Sequence, residues 1–203
     1  LDGLDALGIP VIGIDDFEAD DIMASLSKSE PGPIRLATGD RDLFQLIDND
    51  KDVKIIYLAK GIANHDLVDE TWVAKKYGIP GERYALFAMI RGDASDGLPG
   101  IKGIGEKGAA EIANNFANVT AVLKAAANGD SKLKESHRKK IFDSIDYAKI
   151  MEKLVMCATD VRMPIFESRI AKFKPNMELV NSLVSQYGLQ TSMARMKDAL
   201  GYR

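Results

Sequence analysis

Residues 34–58 read IRLATGDRDLFQLIDNDKDVKIIYL, and their alternation of apolar runs and turn residues decides the fold class. Residues 34–37 predict a short strand that ends in Thr38-Gly39-Asp40. Leu43, Phe44, Leu46 and Ile47 then recur at helical spacing, and residues 53–58 return to a β-branched apolar run. Two strands separated by a helical crossover make a parallel unit, because parallel neighbours cannot be joined by a tight hairpin. Working outward, residues 10–15 predict one more strand and residues 17–27 a helix, with Ile22 and Leu26 four apart, stopped by Pro31-Gly32-Pro33. The strand, helix, strand, helix, strand order predicts an α/β fold with a parallel sheet flanked by helices. In such sheets ligands lie beyond the carboxyl ends of the strands.

From about residue 66 the pattern becomes helical. Residues 66–77, 82–91, 106–116, 119–126 and 132–157 carry helical periodicity, and 177–200 predict two short helices joined near Gly188. No repeat or low-complexity tract interrupts them. The expected organisation is an α/β core over 1–92 followed by a helical region over 93–203.

With 203 residues, 46% hydrophobic and 28% charged, the chain has the composition of a globular protein rather than a disordered one. No apolar run approaches the about 18 residues of a membrane span. One cysteine, Cys157, cannot close an internal disulfide, and with two histidines it offers no Cys/His zinc spacing. These features predict a soluble intracellular protein. The formal charge of -3 conceals a gradient. Residues 1–98 hold 10 basic and 19 acidic side chains, residues 99–140 hold 8 and 4, and residues 141–203 hold 9 and 7. An acidic half suits cations and a basic half suits phosphates, although solvated surface would give the same counts.

Placement of the acids favours the first reading. Glu18, Asp20 and Asp21 open a predicted helix after a strand, and Asp40 and Asp42 do the same. Asp93 and Asp96 follow a helix that ends at Arg91. Each cluster alone is explained by helix capping or by a solvated turn. Two of them, however, lie at the carboxyl ends of successive predicted strands and should converge on one crevice. Carboxylates brought together repel unless cations lie between them, and hard divalent ions such as Mg²⁺ or Mn²⁺ suit all-oxygen ligands. Two such ions about 3.5–4 Å apart can activate a water and stabilise a leaving oxygen in phosphodiester hydrolysis.

Residues 97–109, GLPGIKGIGEKGA, form a Gly-rich turn ahead of a helix starting near Glu106. Glycines permit close backbone approach, so amides at the helix start can meet a phosphate, and Lys102 and Lys107 add charge. Lys132, Lys134, Arg138, Lys139 and Lys140 follow, which favours binding over a purely structural turn. The GxxxxGK[ST] spacing of a mononucleotide loop is absent. His65 and His137 lack partners at ligand spacing and are expected to be surface or structural residues, and Trp72, near Tyr77 and Tyr84, is expected in the core.

EADD (18–21), TGDRD (38–42) and GDASDGLPGIKGIGEKGA (92–109), in this order, resemble the 5′ nuclease superfamily, which includes flap endonucleases and the 5′-3′ exonuclease domain of bacterial DNA polymerase I. The resemblance extends through LVMCATDVRMPI (154–165) and is weaker from about Phe173. It implies a PIN-like α/β core and a helix-three-turn-helix motif that grips double-stranded DNA by its phosphates. It implies catalytic metal ligation by Glu18, Asp20, Asp21 and Asp40 nearer one Mg²⁺ or Mn²⁺ ion, and by Asp42, Asp93 and Asp96 nearer a second. It places Arg41, Lys102, Gly103, Gly105, Lys107 and Gly108 at the DNA, and K⁺ on backbone carbonyls of residues 101–104. The implied activity is two-metal hydrolysis of DNA bearing a 5′ flap or 5′ end, in replication and repair. The implied setting is a cytoplasmic, DNA-associated monomer in bacteria, beside a polymerase domain or partner. Family members carry further metal-binding Asp residues and a helical arch ahead of the region that Leu1 opens, and these are expected to complete the site. The alternatives are a PIN-type ribonuclease and a non-catalytic duplex-DNA-binding module.

Overall fold

The computed structural model describes residues 1–166, 168–169 and 173–202. Its elements, in chain order, are α1 (Asp2–Ala6), α2 (Ala19–Ser29), β1 (Ile34–Thr38), a 3-10 helix (Asp42–Leu46), β2 (Val53–Tyr57), a 3-10 turn (Ile62–Asn64) and β3 (Asp66–Val68). There follow α3 (Glu70–Tyr77), a 3-10 turn (Gly81–Arg83), α4 (Tyr84–Arg91), α5 (Glu106–Asn115), α6 (Val119–Asn128), α7 (Glu135–Phe142), α8 (Ile145–Val155), α9 (Met177–Tyr187) and α10 (Gln190–Ala199). The chain forms two compact units, one of residues Ala19–Val161 and one of Leu1–Glu18 with Arg162–Arg203.

The larger unit is built on a three-stranded sheet in the order β1-β2-β3. β1 and β2 pair in parallel, from Ile34 against Val53 to Thr38 against Tyr57. β3 adds antiparallel to β2, with Ile55 opposite Val68 and Tyr57 opposite Asp66. α2 carries Asp20 and Asp21 in its first turn and Lys28 in its last, the charge order that complements a helix dipole. Asp69 caps α3 by accepting the Trp72 amide at 2.9 Å. Every residue of α4 from Tyr84 to Ile90 is buried, as expected of a helix that is apolar on all faces. Phe44 locks the 3-10 helix to the sheet and to α4. Its ring centroid lies 5.1 Å from Tyr57, 5.6 Å from Trp72 and 5.1 Å from Tyr84. The Gly-rich turn (Ile101, Ile104), α5 (Ile112), α6 (Val122), α7 (Ile141) and α8 (Ala148) continue the same core.

The smaller unit packs α1, α9 and α10 around Ala6, Leu7, Val180, Leu183 and Met193. Asn176 serves twice there: its amide donates to the Ala6 carbonyl at 2.7 Å and its side chain caps α9 through the Leu179 amide. Gly188, at φ 66°, ends α9 and lets α10 begin, as the sequence leads one to expect.

The α/β class, the β1–β2 parallel pair and the helical second half agree with expectation. Other elements differ, each for a local reason. Residues 10–15 are not a strand, because a strand exists only through its ladder and the unit containing them has none among the described residues. Residues 66–77, expected as one helix, divide at Asp69 into β3 and α3, since three residues are too few to display a strand's period. The 43–47 helix is a 3-10 helix, and 132–157 breaks at Asp143 and Ser144 into α7 and α8. Trp72 is partly buried against the core, with the Lys76 ammonium 4.5 Å from its ring centroid.

Phe44→Ala is expected to remove about 3–5 kcal/mol of stability by opening a cavity among three aromatic rings. Urea unfolding followed by the fluorescence of Trp72 measures this, and a loss below about 1 kcal/mol would refute the role given to Phe44.

Candidate active site

Three loops bring the acids of the larger unit together. At the end of β1 the Thr38 hydroxyl accepts the Asp40 amide at 3.0 Å, and the Asp40 carboxylate accepts the Asp42 amide at 2.8 Å. These turns of side chain onto backbone launch the 3-10 helix and hold Asp40 and Asp42 at the sheet's edge. Asp20 and Asp21 sit in the first turn of α2. Beyond α4, the Asp93 amide donates to the Leu98 carbonyl at 3.0 Å and the Leu98 amide returns to Asp93 at 2.8 Å, closing a tight loop. Gly92 (φ 85°) and Gly100 (φ 69°) make this possible. A Cβ on Gly100 would lie 2.5 Å from the Arg91 carbonyl oxygen, so no side chain fits there. Tyr147 fastens the same corner, accepting the Gly100 amide at 2.9 Å and donating to the Met89 carbonyl at 3.1 Å.

The electrostatics show that these acids share one region. Burial, and then the charges of Asp40, Asp96, Asp93 and Asp20, push the Asp42 carboxyl up to about 7. Burial together with Asp93 and Asp40 likewise raises Asp96. Asp93 goes the other way. Burial opposes its charge, but hydrogen bonds from Ser95 and the guanidinium groups of Arg41 and Arg91 hold it below the usual carboxylate range. Cys157 lies against the cluster, and burial followed by Asp20, Asp21, Asp42 and Asp40 pushes its thiol up to about 12. Glu18 is exposed and is the last residue of the smaller unit's first segment. Among the described residues, no three His, Cys, Asp or Glu side chains stand close enough to hold one ion by themselves. The donor set is nonetheless all carboxylate, and its mutual repulsion is of the kind that hard divalent cations relieve.

Several residues that orient the acids escape a motif reading. The segment after α8 is fastened beside them: the Ala158 amide donates to Asp21 Oδ1 at 2.7 Å, and the Val161 amide to the Ser25 hydroxyl at 3.0 Å. Gln45 Nε2 donates to the carbonyls of Asp42 (2.9 Å) and Val155 (3.0 Å), while its Oε1 accepts the Cys157 amide at 3.3 Å. The sequence signal for Gln45 is its place three residues after Asp42. Nothing local signals its partner at position 155.

The Gly-rich turn faces outward. Ile101 and Ile104 are buried, whereas Lys102, Gly103, Gly105 and Lys107 are exposed and Gly108 is half-buried against Ile104 and His137. The N-cap of α5 is Gly105, which provides no side-chain acceptor for the first-turn amides. Lys140 donates to the Gly103 carbonyl at 2.7 Å. His65 is exposed, with Nδ1 2.8 Å from the Ile62 carbonyl. His137 is a packing residue whose pKa burial pushes down.

Residues 2–78 match the family described as "5'-3' exonuclease, N-terminal resolvase-like domain" and residues 79–178 the one described as "5'-3' exonuclease, C-terminal SAM fold". The chain is 36% identical over 197 residues to a 5'-3' exonuclease of Streptomyces coelicolor and 35% over 205 residues to one of Mycobacterium tuberculosis. In both cases 97% of the chain is covered, and it spans 65% and 64% of those relatives' lengths. It is also 31% identical to the thermostable DNA polymerase I of Thermus aquaticus, covering 97% of this chain and 23% of that protein. Among solved structures, T5 5'-exonuclease with bound divalent metal ions (zinc) superposes with a TM-score of 0.57 at 17% identity, over 94% of this chain and 61% of that one. The catalytic core of Rad2 in complex with DNA gives 0.54 at 17%, over 97% and 66%. At such identities these structures share the fold.

The raised Asp42 carboxyl has a consequence for stability. The unfolded chain ionises it near the ordinary value of 3.8, while the fold retains its proton to about 7. The stability it contributes is therefore complete below the ordinary value and is lost as pH rises towards 7. In EDTA, the urea unfolding free energy of Asp42→Asn minus that of wild type should grow across this window, by on the order of a few kcal/mol. A pH-independent difference would mean that Asp42 titrates normally. Asp93, held low, acts only below the ordinary carboxylate value and does not overlap this window.

Proposed function

The chain belongs to the 5'-3' exonuclease family, and from that membership we propose that it is a structure-specific 5′ nuclease that hydrolyses phosphodiester bonds of DNA carrying a 5′ flap or 5′ end. The observation that carries this reading is the convergence on Asp42 of the charges of Asp20, Asp40, Asp93 and Asp96. A basic, outward-facing Gly-rich turn belongs to the same compact unit. Asp20, Asp21, Asp40, Asp42, Asp93 and Asp96, with Glu18 beside them in the chain, would hold two divalent cations, Mg²⁺ or Mn²⁺. Those ions would supply an activated water and charge neutralisation at the leaving oxygen.

The protein's own part is placement. Lys102 and Lys107 meet the phosphates of the duplex, and Gly103, Gly105 and Gly108 let the backbone approach it, contacts that carry no sequence information. Ala158 fixes Asp21 and Gln45 fixes the backbone of Asp42, so the acids keep their positions against their repulsion. The nuclease core is then residues 1–92 with the loop that carries Asp93 and Asp96, and the DNA grip lies in the rest of 93–203. The carbonyls of residues 101–104 would hold K⁺, for which Lys140 would have to leave the Gly103 carbonyl to which it donates. The protein works as a monomer in replication and repair, in the bacterial cytoplasm, beside a polymerase domain or partner.

A labelled 5′-flap DNA incubated with Mg²⁺ tests the reading. Asp40→Ala should lower cutting by about 10²-fold or more while still binding the flap. Lys107→Ala should weaken binding and make its salt dependence shallower by about one phosphate contact. Unimpaired cutting by Asp40→Ala would remove the metal assignment. Equal cleavage of RNA and flap DNA would point to the ribonuclease alternative, and binding without cutting by the wild type to a DNA-binding module.

A further inference from the structure

Asp93 differs from the other acids of the cluster. It is only 5% exposed, and both its oxygens are engaged by donors. Oδ1 accepts from the Ser95 amide at 3.1 Å, the Ser95 hydroxyl at 2.5 Å and Arg41 Nη2 at 3.0 Å. Oδ2 lies 2.9 Å from Arg41 Nη2 and 3.1 Å from Arg91 Nη2. Arg41 is the residue between Asp40 and Asp42, so its guanidinium ties one acidic motif to another 52 positions away. The same Nη2 donates to the Ser95 hydroxyl at 3.1 Å. Arg41 and Arg91 are themselves held in place. Arg41 donates from one nitrogen to both Asp93 oxygens and to Ser95. Arg91 lies over the Phe87 ring, 4.8 Å from its centroid, and donates from Nε to the Gly92 carbonyl at 3.0 Å.

We infer that Arg41 is a resident counter-cation of the carboxylate cluster, a positioning residue that fixes Asp93 and competes with divalent ions for the cluster's charge. Acids this crowded need positive charge whether or not an ion is bound. A guanidinium reaching both Asp93 oxygens and Ser95 provides it, and its fork also fixes the carboxylate's orientation. The same contacts leave Asp93 few lone pairs, so an ion meets it through water or by displacing Arg41. The fixed positive charge lowers the cluster's cation affinity and keeps bound ions exchangeable. The role assigned to Arg41 is thus internal, although its position in the TGDRD motif suggests a DNA contact.

This inference rests on the proposal that the cluster binds divalent cations, and the test separates the two. Mn²⁺ binding to the whole chain is measured from the electron paramagnetic resonance signal of free Mn²⁺, for wild type, Arg41→Ala and Arg41→Lys. Arg41→Ala should bind Mn²⁺ about tenfold more tightly, and Arg41→Lys should remain within about threefold of wild type. In EDTA, Arg41→Ala should lower the Tm, and adding Asp93→Asn should reduce the further loss, as expected for a coupled pair. A merely structural arginine would lower the Tm without tightening Mn²⁺ binding. If Arg41→Ala does not fold, Arg41→Gln, which keeps an N–H donor and removes only the charge, should show the same tightening. Mn²⁺ binding unchanged or weakened in these variants overturns the counter-cation inference alone. Failure of the wild type to bind Mn²⁺ overturns both.

Discussion

Repulsion among carboxylates is the constraint that organises the larger unit. Burial, joined by the charges of neighbouring acids, raises Asp42 and Asp96, and a chain that merely needed to fold would separate such groups. The structure holds three acids of this region by different fixtures. Asp40 is tied into the turn after β1, Asp21 is held by the Ala158 amide, and Asp93 is neutralised by two guanidinium groups. The buried aromatic contacts of Phe44 and the wholly buried α4 supply a rigid base for those fixtures.

The constraint also explains why the helical region belongs to the same unit as the sheet. The segment following α8 reaches back to α2 and to the 3-10 helix through Ser25, Asp21 and Gln45. Tyr147 of α8 fastens the loop that carries Asp93. α8 and the segment after it are thus hydrogen-bonded both to the element that carries Asp21 and to the loop that carries Asp93.

Much of this was legible in the amino acids. The acidic motifs fall at the ends of elements, the Gly-rich turn precedes α5, and Gly188 separates α9 from α10, because caps, turns and helical periodicity are local properties. What stayed hidden was short or distant. β3 is three residues long and was submerged in the helical pattern of α3. Residues 10–15 have a strand's composition without a ladder. Gln45 and Arg91 lie outside the quoted motifs, Ser95 lies inside one without a role assigned to it, and the importance of all three lies in what they touch.

The sequence by itself determined which side chains carry charge, where the backbone can turn tightly and which segments become helices, since each depends on neighbours a few residues away. The tertiary structure alone decided the protonation of Asp42, the pairing of Arg41 with Asp93 across 52 positions and the hold of Ala158 on Asp21 across 137. A carboxylate's proton affinity and an arginine's partner depend on the field and the donors that folding assembles around them. No spacing along the chain encodes those distances.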